Sequence, residues 1–133
     1  MQDRPTYDEL LAAVERFLDD EIVAKSEGSR RFHARVAANV LRIVRRELSH
    51  QEEQLDREWA GLEELLDAAE RPQSRSALCD ALMARNEELS ERIRAGDADD
   101  GPFRDATLAH VRRTVRDKLL VTNPGWLGEE GEG

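Results

Sequence analysis

The side chains best equipped for chemistry lie in one stretch, SRRFHARVAANVLRIVRREL from Ser29 to Leu48, which carries six arginines against the single acid Glu47. Arg35, Asn39 and Arg42 recur at helical spacing, and guanidinium forks suit the oxygens of carboxylates and phosphates. With His33 beside them they form a candidate site for an anionic group such as a phosphate or a coenzyme A ester. The same arginines also have an internal destination. Glu52, Glu53, Asp56, Glu58, Glu63, Glu64, Asp67 and Glu70 follow with Arg57 as the only base among them, so a basic helix can pair with an acidic one. The charge count favours that pairing over an anion site.

An imidazole can act as a general base when a nucleophile or carboxylate adjoins it. His33 and His110 are the candidates, and each lies in a basic helical stretch. His33 falls near the middle of an apolar arc, which predicts a neutral ring hydrogen-bonded inside the core. His110, also a candidate binding residue, is expected at a surface or boundary position. No Gly-rich phosphate loop and no Ser-His-Asp or Cys-His spacing accompanies either ring, so no catalytic residue is assigned. Glu47 and His50 form the only Glu-x-x-His pair, whereas a ferritin-like di-iron site needs two such pairs and two further carboxylates. The run Asp97-Ala98-Asp99-Asp100-Gly101 lacks the spacing and closing Glu of a calcium loop. Neither a metal nor a cofactor is called for.

These residues must be positioned by helices. Thr6-Tyr7-Asp8-Glu9 is a capping box that starts the first, with Tyr7, Leu10, Leu11, Val14, Phe17, Leu18 and Ile22 as its apolar stripe. Gly28 and Ser29 supply a stop and a new start. At about 100° per residue, Phe32, Val36, Ala37, Val40, Ile43, Val44 and Leu48 share one arc of the next helix, the expected core face, with Asn39 at its edge. Ser49-His50-Gln51-Glu52 repeats the capping pattern and predicts a break or kink. Beyond it, Leu55, Trp59, Leu62, Leu66 and Ala69 form a narrow seam, expected to pack antiparallel on the basic helix.

Pro72 marks a loop, and Ser74 or Ser76 can cap the helix that follows. Leu78, Leu82, Leu89 and Ile93 then define a fourth helix, with Cys79 as a small core residue, and Gly96 ends it. Asn86, like Asn39, is suited to an inter-helix hydrogen bond. Pro102 opens a fifth helix through Leu108, Val111, Val115 and Leu119 to Asn123-Pro124-Gly125. Trp126 and Leu127 are expected to fold back onto the bundle. The fold class is all-α, four or five helices in a mostly antiparallel bundle: one domain over residues 1–127 and a disordered acidic tail over 128–133.

The 133 residues suffice for a self-supporting core, and the net charge of −9 disfavours nucleic acid and anionic membranes. Cys79 is the only cysteine, so no internal disulfide or multi-cysteine zinc site is available. The start MQDRPTYDEL does not read as a signal peptide, and no stretch approaches the ~20 apolar residues of a membrane span. A cytoplasmic protein is expected.

Phe32-His33-Ala34-Arg35-Val36-Ala37-Ala38-Asn39, Arg46-Glu47-Leu48, Leu78-Cys79, Ile93-Arg94-Ala95-Gly96 and Lys118-Leu119 to Asn123-Pro124 resemble a family of small bacterial proteins classed as a domain of unknown function. The resemblance covers nearly the whole chain from Arg4-Pro5 to Pro124. It implies a gene context beside kinases similar to aminoglycoside phosphotransferases and beside acyl-CoA dehydrogenases, and through it an accessory role in acyl-CoA or hydroxy-acid catabolism. The leading expectation is a non-catalytic accessory protein that binds such an enzyme, with room for a homo-oligomer. Alternatives are a binding module for a phosphate- or coenzyme A-containing ligand through His33, Arg35, Asn39 and Arg42, and an enzyme using His33 or His110 as base.

Overall fold

The structure, a computed structural model, describes residues 3–131, with side chains through residue 128. Among these residues it is all-α: α1 (Tyr7–Phe17), α2 (Gly28–Leu65), α3 (Arg75–Arg94) and α4 (Gly101–Thr122). They fall into two compact units, Met1–His50 and Gln51–Gly133.

In the first unit the capping box forms as its sequence requires. Thr6 N donates to Glu9 Oε2 at 2.8 Å and Glu9 N donates to Thr6 Oγ1 at 3.3 Å. The end of α1 widens into a π-helical turn, Leu18–Val23, and the chain reverses before Gly28, whose φ of 56° favours glycine. The first part of α2 then runs antiparallel to α1, since Arg45 meets Asp8 while Arg42 meets Glu15 and Asp19. Ala34 and Ala38 are the buried apolar residues of this pair. Their small side chains let the backbones approach, and the guanidinium groups of Arg42 and Arg45 fill the remaining space with charge-assisted hydrogen bonds.

Contrary to expectation, α2 does not break at Ser49. It continues for 38 residues, and Ser49 Oγ donates to Arg45 O at 2.8 Å, which satisfies the hydroxyl on the preceding turn instead of capping a new helix. The basic and acidic stretches are therefore successive parts of one helix. The acids of the second stretch find other partners: Glu58 accepts from Asn86 at 2.8 Å, and Asp56 pairs with Arg71.

In the second unit the end of α2 packs with α3 and α4. Trp59, Leu62, Leu65, Leu66, Leu78, Leu82 and Leu89 form the core, and Leu55, Ala81 and Phe103 pack against it. The expected seam is thus correct through Leu66, whereas Ala69 lies beyond the helix end and is exposed. Ser74 caps α3 by accepting from Ala77 N at 3.2 Å. Gln51 meets Arg75 and Leu65 meets Arg92, so α3 runs parallel to α2. Gln54 and Arg57 meet Asp117 while Gly61 meets His110, so α4 runs antiparallel to α2.

No glycine follows Leu65 to close α2. Arginines of α3 take that role. Arg85 donates to Leu62 O and Asp67 O at 3.1–3.2 Å, and Arg92 donates to Leu65 O at 3.0 Å. Both cations sit where unpaired carbonyls and the helix dipole concentrate negative potential. Trp126 does not fold back: it is 77% exposed, in the 3-10 segment Pro124–Gly131. Residues 132 and 133 of the expected acidic tail lie outside the described residues.

Candidate functional site

The largest departure from the expected burial is on the first unit. Phe32, Val36, Val40, Val44 and Leu48, expected in the core, are between 39% and 63% exposed. Tyr7, Leu10, Val14 and Phe17 of α1 are also exposed, while Leu11, Leu18 and Ile22 are half-buried. The reason lies in which face α2 turns toward α1. Alanines at 34 and 38 permit close approach and Arg42 and Arg45 reach carboxylates there, so the helix presents that face inward and its valine ridge outward. Taking the pairs Glu15–Arg42 and Asp8–Arg45 as the line of contact, Tyr7, Leu10 and Val14 fall on the same side of the pair as Val40, Val44 and Leu48.

The predicted binding residues divide on this geometry. Arg35 and Asn39 are exposed and line a shallow groove of about 290 Å³ with Phe32, Val36 and Val40. His33 is exposed too, which corrects the expected core position. Its ring lies edge-on to Phe32 at 5.5 Å, and Nδ1 is 3.3 Å from Ser29 Oγ. Arg42 is not part of the groove lining. Its Nε donates to Glu15 Oε1 at 2.8 Å, and it also pairs with Asp19. The proposed quartet therefore does not assemble around one anion.

Arg42 and Arg45 also line a polar cleft of about 280 Å³ with Asp8, Arg46, Ser49 and His50. Here Arg45 donates to Asp8 Oδ1 and Glu15 Oε2, both at 2.7 Å. The hydrogen bond from Arg45 holds the Asp8 carboxyl below its ordinary range, outweighing partial burial, and Asp8 and then Glu15 raise Arg45 further. Acids of α1 already occupy these guanidinium groups, so the cleft offers them to no external phosphate.

His110 corrects the expectation in the opposite sense. It is 3% exposed, on α4 against α2, where a methyl group on Gly61 would come within 2.3 Å of its Nδ1. Among the described residues neither ring nitrogen has a hydrogen-bond partner, and Thr107 Oγ1 one turn earlier is likewise buried and without one. Burial, reinforced by Arg113, pushes the imidazole below its ordinary value and keeps it neutral at pH 7. No nucleophile or carboxylate is hydrogen-bonded to it, so the geometry gives it no partner for proton transfer. Among the described residues no three His, Cys, Asp or Glu side chains gather as metal ligands would.

A family model described as a domain of unknown function, DUF6285, matches residues 24–126. The chain belongs to the DUF6285 family. No curated protein and no solved structure matches it. The DUF6285 match contains the valine ridge of α2, all of α3 and α4, and both histidines discussed above, and it begins after α1. No helix among the described residues is long and apolar enough to cross a membrane.

Three residues important to this DUF6285 chain stand outside the motifs legible in its sequence. Arg85 occupies the stripe position between Leu82 and Leu89, and that spacing was the available signal that it points inward. Gly61 inside a helical seam was a second signal, because a mid-helix glycine costs about 1 kcal/mol and calls for a packing reason. Asp117, the acceptor for Arg57 at 3.0 Å, had no signal in spacing because its partner is far away in the chain.

Proposed function

We propose that this DUF6285 protein is a non-catalytic, cytoplasmic interaction protein that works through the apolar face of its α1–α2 pair. The observation that carries the reading is the exposed ridge Phe32-Val36-Val40-Val44-Leu48 with Tyr7, Leu10, Val14 and Phe17 beside it. A face of this size exceeds scattered surface hydrophobes and marks binding surfaces generally. The client class comes from the family resemblance: a kinase similar to aminoglycoside phosphotransferases or an acyl-CoA-metabolising enzyme. Co-expression with one enzyme of each class, followed by size-exclusion chromatography, tests the proposal. Co-elution that is lost in Val44→Glu is expected. Independent elution at micromolar concentration, with kinase activity unchanged, overturns it.

The groove lined by Arg35 and Asn39 favours a second reading, a ligand with an apolar body and one anionic group, such as a coenzyme A ester. In it Arg35 alone supplies the cation, since Arg42 is engaged by Glu15 and Asp19. A ligand-induced rise in melting temperature that disappears in Arg35→Ala supports this reading. No rise with any phosphate or coenzyme A ester removes it.

A further inference from the structure

The first unit has helices but hardly a core. Its buried apolar side chains are Ala34 and Ala38, and every phenylalanine, tyrosine and valine of the α1 stripe and the α2 ridge through Val44 is exposed. Helices of this length draw most of their stability from packing an amphipathic face. A pair that leaves its apolar face in water needs a partner that is present whenever the chain is present. With side chains of ~150–250 Å² for the aromatics and somewhat less for the aliphatics, the exposed face amounts to on the order of 800 Å². That exceeds the ~300–600 Å² of the largest patch on an ordinary monomer and equals one partner's share of a standard interface, ~800 Å².

Two features of the sequence identify the partner. The first is charge. Residues 1–50 hold 9 Lys+Arg and 9 Asp+Glu, leaving 11 against 20 for residues 51–133, so the whole net charge of −9 resides outside the first unit. Two copies can bring their first units together without net repulsion, and the face selects for neither a basic nor an acidic stranger. The second is symmetry. The ridge on α2 has side chains at every fourth residue, the row that interdigitates when helices pack. It reads Phe, Val, Val, Val, Leu, with a large residue at each end and Val40 at the centre. Two such helices laid antiparallel about a two-fold axis at Val40 set Val36 against Val44 twice over; each four-residue step turns about 40° round the helix, so Phe32 and Leu48 flank that contact on either side. The same register brings His33 level with Glu47. Such self-complementarity is what an isologous interface requires.

We infer that a second copy of this chain occupies the face, with the two α1–α2 pairs forming a symmetric four-helix bundle across a two-fold axis near Val40. This rests on the reading of the face as the interaction surface, and a client enzyme that docks on the same face must displace the second copy. The bundle completes a core that neither copy possesses alone, in the two-layer manner by which helices bury one stripe each.

Light scattering coupled to size-exclusion chromatography on the full chain, across the micromolar range, reads the mass directly. A dimer is expected, with Val40→Glu weakening self-association at least a hundredfold because two carboxylates meet at the axis. Val40→Glu could also lose helix, so a second measurement fixes the register without adding charge. In a Cys79→Ser background, Val40→Cys is expected to form an intermolecular disulfide under mild oxidation, and Ala13→Cys, exposed on the outside of α1, is not. A mass that stays monomeric, or a dimer whose Val40→Cys form does not cross-link, overturns the inference. If the monomer still co-elutes with a client enzyme through the Val44-dependent face, the inference fails while the proposed function stands. If the monomer binds no client either, both fail.

Discussion

A methyl group on Gly61 would lie 2.3 Å from Nδ1 of the His110 imidazole and 2.9 Å from its Cε1, so glycine on α2 is the condition for a buried histidine on α4. The ring lies where any other residue at 61 would place its Cβ. Arg113 Nη2 borders the same position at 3.1 Å.

Gly61→Ala therefore destabilises the protein although alanine is the better helix former. The substitution gains about 1 kcal/mol in helix propensity and costs more through overpacking, for a net loss of about 1–2 kcal/mol. Urea denaturation measures it. In Gly61→Ala/His110→Ala the clash is absent and the helix gain remains, so the double variant should be more stable than His110→Ala alone.

Acid should weaken the second unit first. His110 titrates below its ordinary value of 6.5 in the folded chain, because burial and Arg113 and Lys118 oppose the cation more than Glu58 and Glu64 assist it. As pH falls through 6.5 the unfolded chain binds the proton before the folded one does, so stability is lost from about 6.5 downward until the folded value is passed. Asp8, also lowered, contributes stability above its ordinary 3.8 that disappears only below it. Denaturation midpoints between pH 7 and 5 should fall in the native chain and fall less in His110→Leu, which also removes two unpaired buried nitrogens.

Arg85→Met should cost about 2–4 kcal/mol, even though methionine fills a similar volume. The guanidinium, 8% exposed, bridges Leu62 O and Asp67 O and lies 5.0 Å over the Trp59 ring. Its removal loses charge-assisted hydrogen bonds to both carbonyls and the contact over Trp59, while Leu62 O keeps its bond from Leu66 N. Arg85→Lys recovers only part of the loss, because an ammonium cannot reproduce the fork or its stacking. Thermal unfolding followed by circular dichroism and by Trp59 fluorescence provides the measurement.

Local signals in the sequence carried through to the structure. Thr6-x-x-Glu9 and Pro102 act through neighbours within four residues, so their types suffice to place helix starts, and of the two serines offered as caps the structure uses Ser74. Leu78, Leu82 and Leu89 are buried as their period requires. Two kinds of information were not legible. Ser49 can cap a helix or bond to the preceding turn, and a single sequence does not choose between them. Hydrophobic period locates an apolar face but not what covers it, so Phe32 to Leu48 read as core although the chain leaves that face in water. His33 was misplaced with the arc that contains it. Arg42 was legible as a pairing residue, but its partners Glu15 and Asp19 precede it, whereas the charge count pointed ahead to residues 52–70.

The end of α2 is set by side chains that come later in the chain. Arg85 and Arg92 satisfy the carbonyls of Asp67 and Leu65, and Arg85 adds a second bond to Leu62 O, which also accepts from Leu66 N. During synthesis, at ~5–20 residues per second, on the order of seconds separates the emergence of Leu65 from that of Arg92. Over that interval the helix has no fixed terminus and frays or extends freely. α3 then acts on its predecessor as a stop signal delivered late, and a ribosome-bound chain ending near residue 74 should hold the beginning of α2 more firmly than its end.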